Sequence, residues 1–151
     1  MTLMLIALDI MWPAMAVAGR PAYWGAIAIG LLIEWPFVKA ITSLPWLRSV
    51  APTVIANVAS SLVGVLAIPS IGALWEIGPG DAIDRRFGLP TFNWASWAAT
   101  IVIVIILNMV VEGAILARWF HVKVSVKNAA LLLVANALSV GLAFWATRST
   151  L

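Results

Sequence analysis

The sequence contains no cysteine, one histidine and few titratable side chains of any kind. Without cysteine, disulfides, thiolate metal sites and cysteine nucleophiles are excluded. The single histidine, His121, cannot supply a pair of axial haem ligands, and no other histidine offers a base to activate a serine or threonine. Phosphate-binding loops, dinucleotide fingerprints and metalloprotease motifs are also lacking. We therefore expect a protein that is not an enzyme and that has neither a cofactor nor a metal.

Charge is equally scarce, since 10% of the 151 residues are charged while 64% are hydrophobic. A soluble domain carries about 25% charged residues, so this chain could not cover a water-facing surface with polar groups. The net charge of +3 is too small and too dispersed for a nucleic-acid surface. The composition predicts an integral membrane protein whose first partner is the lipid bilayer, with no nucleic-acid partner.

Four apolar segments are long enough to cross a hydrocarbon core of about 30 Å, which needs roughly 20 residues of helix. They are Ala22–Thr42, Ala51–Ala73, Ala98–Ala117 and Asn128–Thr147. In lipid each must be helical, because its backbone polar groups can only be satisfied within the segment. The sequence thus predicts an all-α, polytopic transmembrane helix bundle with four full spans.

The N-terminal stretch Met1–Ala18 is apolar but short, and we expect a retained membrane helix there, for five helices in all. Its end, with Ala16 and Ala18, also resembles a signal-peptide cleavage site, which is the alternative. The whole chain then forms a single integral membrane domain with four parts. These are an N-terminal helix (1–21), a first hairpin (22–73), an interfacial loop (74–96) and a second hairpin (97–151).

The interfacial loop contains two glycine- and proline-rich breaks, Gly78–Gly80 and Gly88–Pro90, and we expect one or two helical turns over Asp81–Phe87 between them. Tryptophans flank the loop and the last connection, as is typical of residues at the headgroup level. These predicted interfacial anchors are Trp75, Trp94, Trp97 and Trp119.

Basic residues predict the orientation. Two short connections carry only basic charge, whereas the arginines of the 74–96 loop lie beside Glu76, Asp81 and Asp84. The residues of the purely basic loops are Lys39, Arg48, Arg118, Lys123 and Lys127. By the positive-inside rule these loops are cytoplasmic, and the 74–96 loop is periplasmic if this is a bacterial inner-membrane protein. Lys39 and Arg118 are expected either to extend to the headgroups or to pair with a nearby glutamate.

One pattern occurs twice in the chain: a helix with a glutamate, a basic loop, and a returning helix with an asparagine followed three residues later by a serine. The first copy contains Glu34, Lys39, Asn57 and Ser60, and the second contains Glu112, Arg118, Asn136 and Ser139. Glutamate and asparagine are 23 residues apart in the first copy and 24 in the second. This predicts a parallel internal two-helix repeat.

The distance of each glutamate and asparagine from its hairpin turn predicts which of these residues are in contact. Residues equally far from the turn of an antiparallel hairpin are neighbours, so Glu34 is expected to hydrogen-bond to Asn57 and Glu112 to Asn136. Ser61, on the Asn57 face, and Asn108, one turn before Glu112, are expected to join these pairs.

Two interpretations of the pairs remain open. They are structural clamps between helices, or the two glutamates face each other across an axis and form a proton or cation site. We accordingly expect a small non-catalytic accessory or scaffold subunit of a larger membrane complex, bound to other subunits or to a second copy of itself. The alternative is a small transporter or channel that uses Glu34 and Glu112.

Overall fold

The computed structural model describes residues 22–90 and 93–148, and these form helices and short connections with no strand among them. The helices are α1 (Ala22–Thr42), α2 (Trp46–Trp75), a π-helical turn (Glu76–Gly80), α3 (Asp81–Phe87), α4 (Trp94–Trp119) and α5 (Val126–Arg148). Within this part, three continuous helical segments are long and apolar enough to cross a membrane: Trp46–Phe87, Trp94–Trp119 and Val126–Trp145. The predicted helix within Met1–Ala18 lies outside the described residues.

The four long helices pack as a ring in the order α1, α2, α4, α5. The closest packing joins α1 to α5 and α2 to α4, and each hairpin's own pair, α1 with α2 and α4 with α5, packs less extensively. Helices α1 and α4, which carry the two glutamates, are therefore diagonal to each other. Contacts between the hairpins, more than contacts within them, hold the bundle together.

Both hairpin turns begin with a residue in the left-handed region. Ser43 follows α1 with φ 56°, and His121 follows the last turn of α4 with φ 54°. This conformation ends a helix because the next N–H groups turn back to its last carbonyls. At α4, Val122 N donates to Leu116 O over 3.1 Å. His121, whose side chain is exposed, thus has a backbone role in the turn.

The structure corrects the predicted break at Gly78–Gly80. The chain stays helical there and passes through the π-helical turn directly into α3, which covers Asp81–Phe87 as the sequence predicts. Pro79 lacks an N–H, and the wider turn absorbs this missing hydrogen-bond donor. Gly80 lies so close to Trp75 that a Cβ would be 2.9 Å from the Trp75 carbonyl oxygen. Glycine at this position therefore permits the turn instead of interrupting it.

Asn93 fixes the start of α4 after the loop. Its Oδ1 accepts from Ala95 N at 2.8 Å and from Ser96 N at 3.1 Å, which is the usual geometry of a helix N-cap. Its Nδ2 donates to Asp84 Oδ1 at 2.8 Å, so the same side chain ties α3 to α4.

Replacing Asn93 with alanine should lower the free energy of unfolding by about 1–2 kcal/mol, because it removes the cap and leaves two amide groups without a partner. Asn93→Ser is the matched control, since a serine oxygen restores the cap but cannot donate to Asp84 from the same position. Titration of the detergent-solubilised protein with sodium dodecyl sulfate, monitored by tryptophan fluorescence, measures the free energy of unfolding of both variants. An alanine variant as stable as the original chain would contradict the capping role.

Candidate functional site

Two carboxyl groups are buried inside the helix ring. Glu34 on α1 is 3% exposed and Glu112 on α4 is 1% exposed. They stand eight and seven residues before the ends of their helices, which is about 10–12 Å along the helix axis. Burial of a carboxyl group in an apolar medium is unfavourable unless hydrogen bonds compensate it. The partners of the four carboxyl oxygens therefore determine what the site can do.

Each glutamate accepts a hydrogen bond from the asparagine of its own hairpin. Asn57 Nδ2 donates to Glu34 Oε2 over 2.6 Å, and Asn136 Nδ2 donates to Glu112 Oε2 over 2.8 Å. These are the two hydrogen bonds that the matched depths in the sequence predict. Each amide also donates to the carbonyl one turn earlier, Asn57 to Thr53 O at 3.0 Å and Asn136 to Leu132 O at 3.1 Å. Both amide groups are thus held in place by their own helices.

The remaining carboxyl oxygens are bonded across the bundle. Ser139 Oγ on α5 donates to Glu34 Oε1 at 2.5 Å, and Ser60 Oγ on α2 donates to Glu112 Oε1 at 3.0 Å. Each serine belongs to the hairpin opposite its glutamate, so every carboxyl group connects the two hairpins. Sequence reasoning placed both serines near the pairs but missed this exchange. We call these six residues the carboxyl cluster: Glu34, Asn57, Ser60, Glu112, Asn136 and Ser139.

Nearly every polar side-chain atom of the carboxyl cluster has a hydrogen-bond partner. All four carboxyl oxygens have a donor, and Asn136 Oδ1 is the one buried side-chain N or O atom without a hydrogen-bond partner in the part of the chain that the structure describes. Residues 22–90 and 93–148 contain no group of three or more metal-ligating side chains. The geometry is that of a hydrogen-bonded polar seam between helices.

Two predicted members do not join the cluster. Ser61 is exposed, and Asn108, though half-buried, makes no side-chain hydrogen bond within the described ranges. The reason is angular, because successive residues of a helix point about 100° apart. Ser60, three residues after Asn57, faces the interior, and Ser61 points away from it. Of the two adjacent serines that the sequence predicts at this site, Ser60 therefore joins the cluster and Ser61 does not.

The basic residues lie apart from the cluster. Lys39 Nζ lies 5.4 Å from the centre of the Trp46 ring, a cation–π contact. Arg48, Arg118, Lys123 and Lys127 are exposed. Between residues 22 and 148, excepting the undescribed 91–92, the structure has one ion pair, Arg85 with Asp81. The alternative in which Lys39 or Arg118 pairs with a glutamate is therefore wrong, since amides and hydroxyls already occupy the carboxyl oxygens.

The predicted tryptophan anchors differ in their surroundings. Trp94 and Trp119 are 73% and 59% exposed. Trp75 donates its Nε1 to Ser96 Oγ at 3.3 Å, and the Trp97 ring packs against Phe144 with centroids 5.2 Å apart. The first two thus lie on the outer surface of the bundle, and the last two contribute to its packing.

A second tryptophan feature was not predicted. Trp35, next to Glu34, donates its Nε1 to Ser49 Oγ at 2.8 Å and to Trp46 O at 3.1 Å, and the two indole rings meet edge to face at 5.5 Å. We call Trp35, Trp46 and Ser49 the tryptophan wedge. It fills the space between α1 and α2 near their turn.

No family model, no curated protein and no solved structure matches this chain. The function is therefore argued from geometry alone. Chemically, the carboxyl cluster can hold helices in register, and each carboxyl oxygen, which accepts one hydrogen bond, keeps a second lone pair that can accept a proton or a cation.

Proposed function

We propose that this protein is a small, non-catalytic integral membrane subunit that serves as an accessory or scaffold component of a larger membrane complex. The observation that carries the proposal is the exchange of partners in the carboxyl cluster. Each carboxyl group accepts from an amide of its own hairpin and from a hydroxyl of the other. Such a cluster stabilises one arrangement of the two hairpins and gives every carboxyl oxygen a donor from the protein itself.

The proposal includes four full spans preceded by an N-terminal membrane helix, and a parallel repeat about an axis along the membrane normal. Support for the repeat comes from the reciprocal hydrogen bonds and from the diagonal positions of α1 and α4. Buried positions also correspond: Val38 matches Leu116, at 1% exposure each, and Ala56 matches Ala135. Support for the first span is the 21-residue helix α1, which is apolar apart from Glu34, Lys39 and its polar end.

We place the chain in an inner membrane with the basic loops in the cytoplasm. The exposure of Arg48, Arg118, Lys123 and Lys127 near the two hairpin turns supports this orientation, because none of them is neutralised inside the protein. The only acidic residues outside the ring within the described ranges, Glu76, Asp81 and Asp84, lie at the opposite end.

The outer surface supports the subunit assignment. Few apolar side chains of the described residues are buried inside the bundle. On α2, a row of large apolar side chains faces outward at intervals of four residues. That row consists of Val50, Val54, Val58, Leu62 and Leu66. Residues four apart are neighbours on a helix surface, and such a row forms a ridge that winds gradually around the helix, as at helix–helix contacts. We propose that this row contacts lipid and the helices of a partner subunit.

The test is purification from the native membrane in a mild detergent, followed by native mass spectrometry. We expect the chain to remain bound to at least one other membrane protein at fixed stoichiometry, and that complex to be weakened by Val58→Lys on the α2 row. Val102→Lys, which changes an equally exposed valine on α4, is the control. Migration of the chain as a lone monomer would defeat the proposal.

A second function has one observation in its favour. Asn136 Oδ1 is a buried acceptor without a partner, next to Glu112, and a proton or cation entering the cluster would find it. Buried intramembrane acids often mark ion pathways. In a small transporter or channel, replacing Glu34 and Glu112 together by glutamine should abolish proton or cation flux in proteoliposomes while the fold persists. Unchanged flux would remove this alternative, and the absence of any flux by the original chain would do the same.

A further inference from the structure

A groove opens between α4 and α5 beside the turn that joins them. Its cavity volume is about 260 Å³, and both small and larger apolar residues line it. The small ones include Gly113, Ala114, Ala117 and Ala129, and the larger ones include Met109 and Leu132. We call this the α4–α5 groove. Its volume is somewhat below that of pockets that enclose a drug-sized molecule, which start near about 300 Å³, so it suits part of a longer apolar ligand.

Comparison of the two hairpins explains why the groove exists. When Glu34 is aligned with Glu112, Trp35 is aligned with Gly113. In the first hairpin the Trp35 indole fills the space between the helices, where it hydrogen-bonds to Ser49 and packs on Trp46. In the second hairpin Gly113 has no side chain, and its nearest neighbour would be 3.5 Å from an added Cβ. The same space that the tryptophan wedge fills in one hairpin is open in the other.

Positive charge stands at the mouth of this groove. Lys123 lines it, and Asn128 Nδ2 holds the backbone at this residue by donating to Lys123 O at 2.9 Å. Arg118, in the last turn of α4, and Lys127, in the first turn of α5, flank the same connection, and no acidic residue follows Glu112 in the sequence. Within the described ranges none of these three cations is in an ion pair. A ligand with an anionic headgroup and an apolar chain would therefore place its headgroup beside these unpaired cations and its chain in the groove.

The direction of the groove fits a lipid tail. Met109 lies ten residues before the end of α4, so the lining runs about 15 Å along the helix, or half of a hydrocarbon core of about 30 Å. Trp119, exposed at the end of α4, marks the headgroup level. We propose that the α4–α5 groove binds one acyl chain of an anionic phospholipid, with the phosphate beside Lys123. This inference does not depend on the proposed function.

The experiment is native mass spectrometry of the purified full chain, titrated separately with phosphatidylglycerol and with phosphatidylcholine of the same acyl chains. We expect one phosphatidylglycerol to bind tightly and phosphatidylcholine to bind at least about fivefold more weakly, which is the factor that one basic residue contributes near an anionic headgroup. Lys123→Gln should remove this preference. Lys127→Gln, which removes a charge that does not line the groove, should keep it.

A second set of variants fills the groove with larger side chains. Gly113→Trp reproduces the side chain of the first hairpin and should abolish the tight lipid site, whereas Gly113→Ala, whose Cβ makes only ordinary contact, should retain it. Ala117→Leu narrows the same groove and decides the question if the tryptophan variant does not fold. Equal binding of both lipids, or tight binding that survives Gly113→Trp or Ala117→Leu, would overturn the proposal. A protein helix found in the groove, with no lipid retained, would overturn it as well.

Discussion

Replacing Glu112 with alanine should lower the free energy of unfolding by about 2–4 kcal/mol. The change removes the acceptor of one Asn136 N–H, and a buried donor left without a partner is unfavourable by roughly 1–3 kcal/mol, whereas Ser60 Oγ can still donate to Asn57 O. The residual cavity adds to this effect, because Glu112 is among the largest fully buried side chains in the described part of the chain. Titration with sodium dodecyl sulfate, monitored by tryptophan fluorescence, measures the loss.

The matched control is Glu112→Gln, which should change stability by less than about 1 kcal/mol. Its amide oxygen can accept from Asn136, and its NH₂ group can donate to Ser60 Oγ. Ser60 then donates its own proton to Asn57 O, which already lies 3.1 Å away. If the alanine variant were as stable as the glutamine variant, the cluster would not be what holds the hairpins together.

Replacing Gly80 with alanine should lower the free energy of unfolding by about 1–3 kcal/mol, the usual effect of forcing an extra carbon into a packed site. The added Cβ would lie 2.7 Å from Trp75 Nε1 and 2.9 Å from the Trp75 carbonyl oxygen. The indole can rotate, but the backbone oxygen cannot move without opening the π-helical turn. Because Trp75 also donates to Ser96, the strain should reach the start of α4.

Gly78→Ala is the control in the same turn, since nothing lies within 4 Å of its added Cβ. Alanine favours helix over glycine by up to about 1 kcal/mol, so this variant should be as stable as the original or slightly more stable. The same denaturant titration compares the two variants. A similar loss in both would show that the turn is sensitive to glycine content in general and not to contact with Trp75.

Much of the helical framework follows from the sequence because lipid allows few alternatives. The apolar segment Ala22–Thr42 coincides with α1, since backbone groups in hydrocarbon must be satisfied within a helix. The predicted starts of α2 and α4 were late by five and four residues. Their first turns contain tryptophan and polar residues, which hydropathy does not assign to a span but which are well suited to the headgroup region.

The carboxyl cluster was predictable only in part. Matched distance from a turn pairs Glu34 with Asn57, because both residues belong to one hairpin. The bond from Ser139 to Glu34 joins different hairpins, and it depends on how the ring of helices closes, which no local pattern encodes. The choice of Ser60 over Ser61 depends in turn on the rotation of α2 about its axis. Sequence periodicity in a helix that is apolar on all sides does not specify that rotation.

The exchange of partners between hairpins has a consequence for biosynthesis. Ser139 follows Glu34 by 105 residues, which a ribosome adds in about 5–20 s at 5–20 residues per second. Until α4 is synthesised Ser60 lacks its Glu112 acceptor, and until α5 is synthesised Glu34 lacks its hydroxyl partner. The first hairpin alone is therefore an incomplete intermediate with unpaired polar groups, and addition of α5 is the step that completes the cluster.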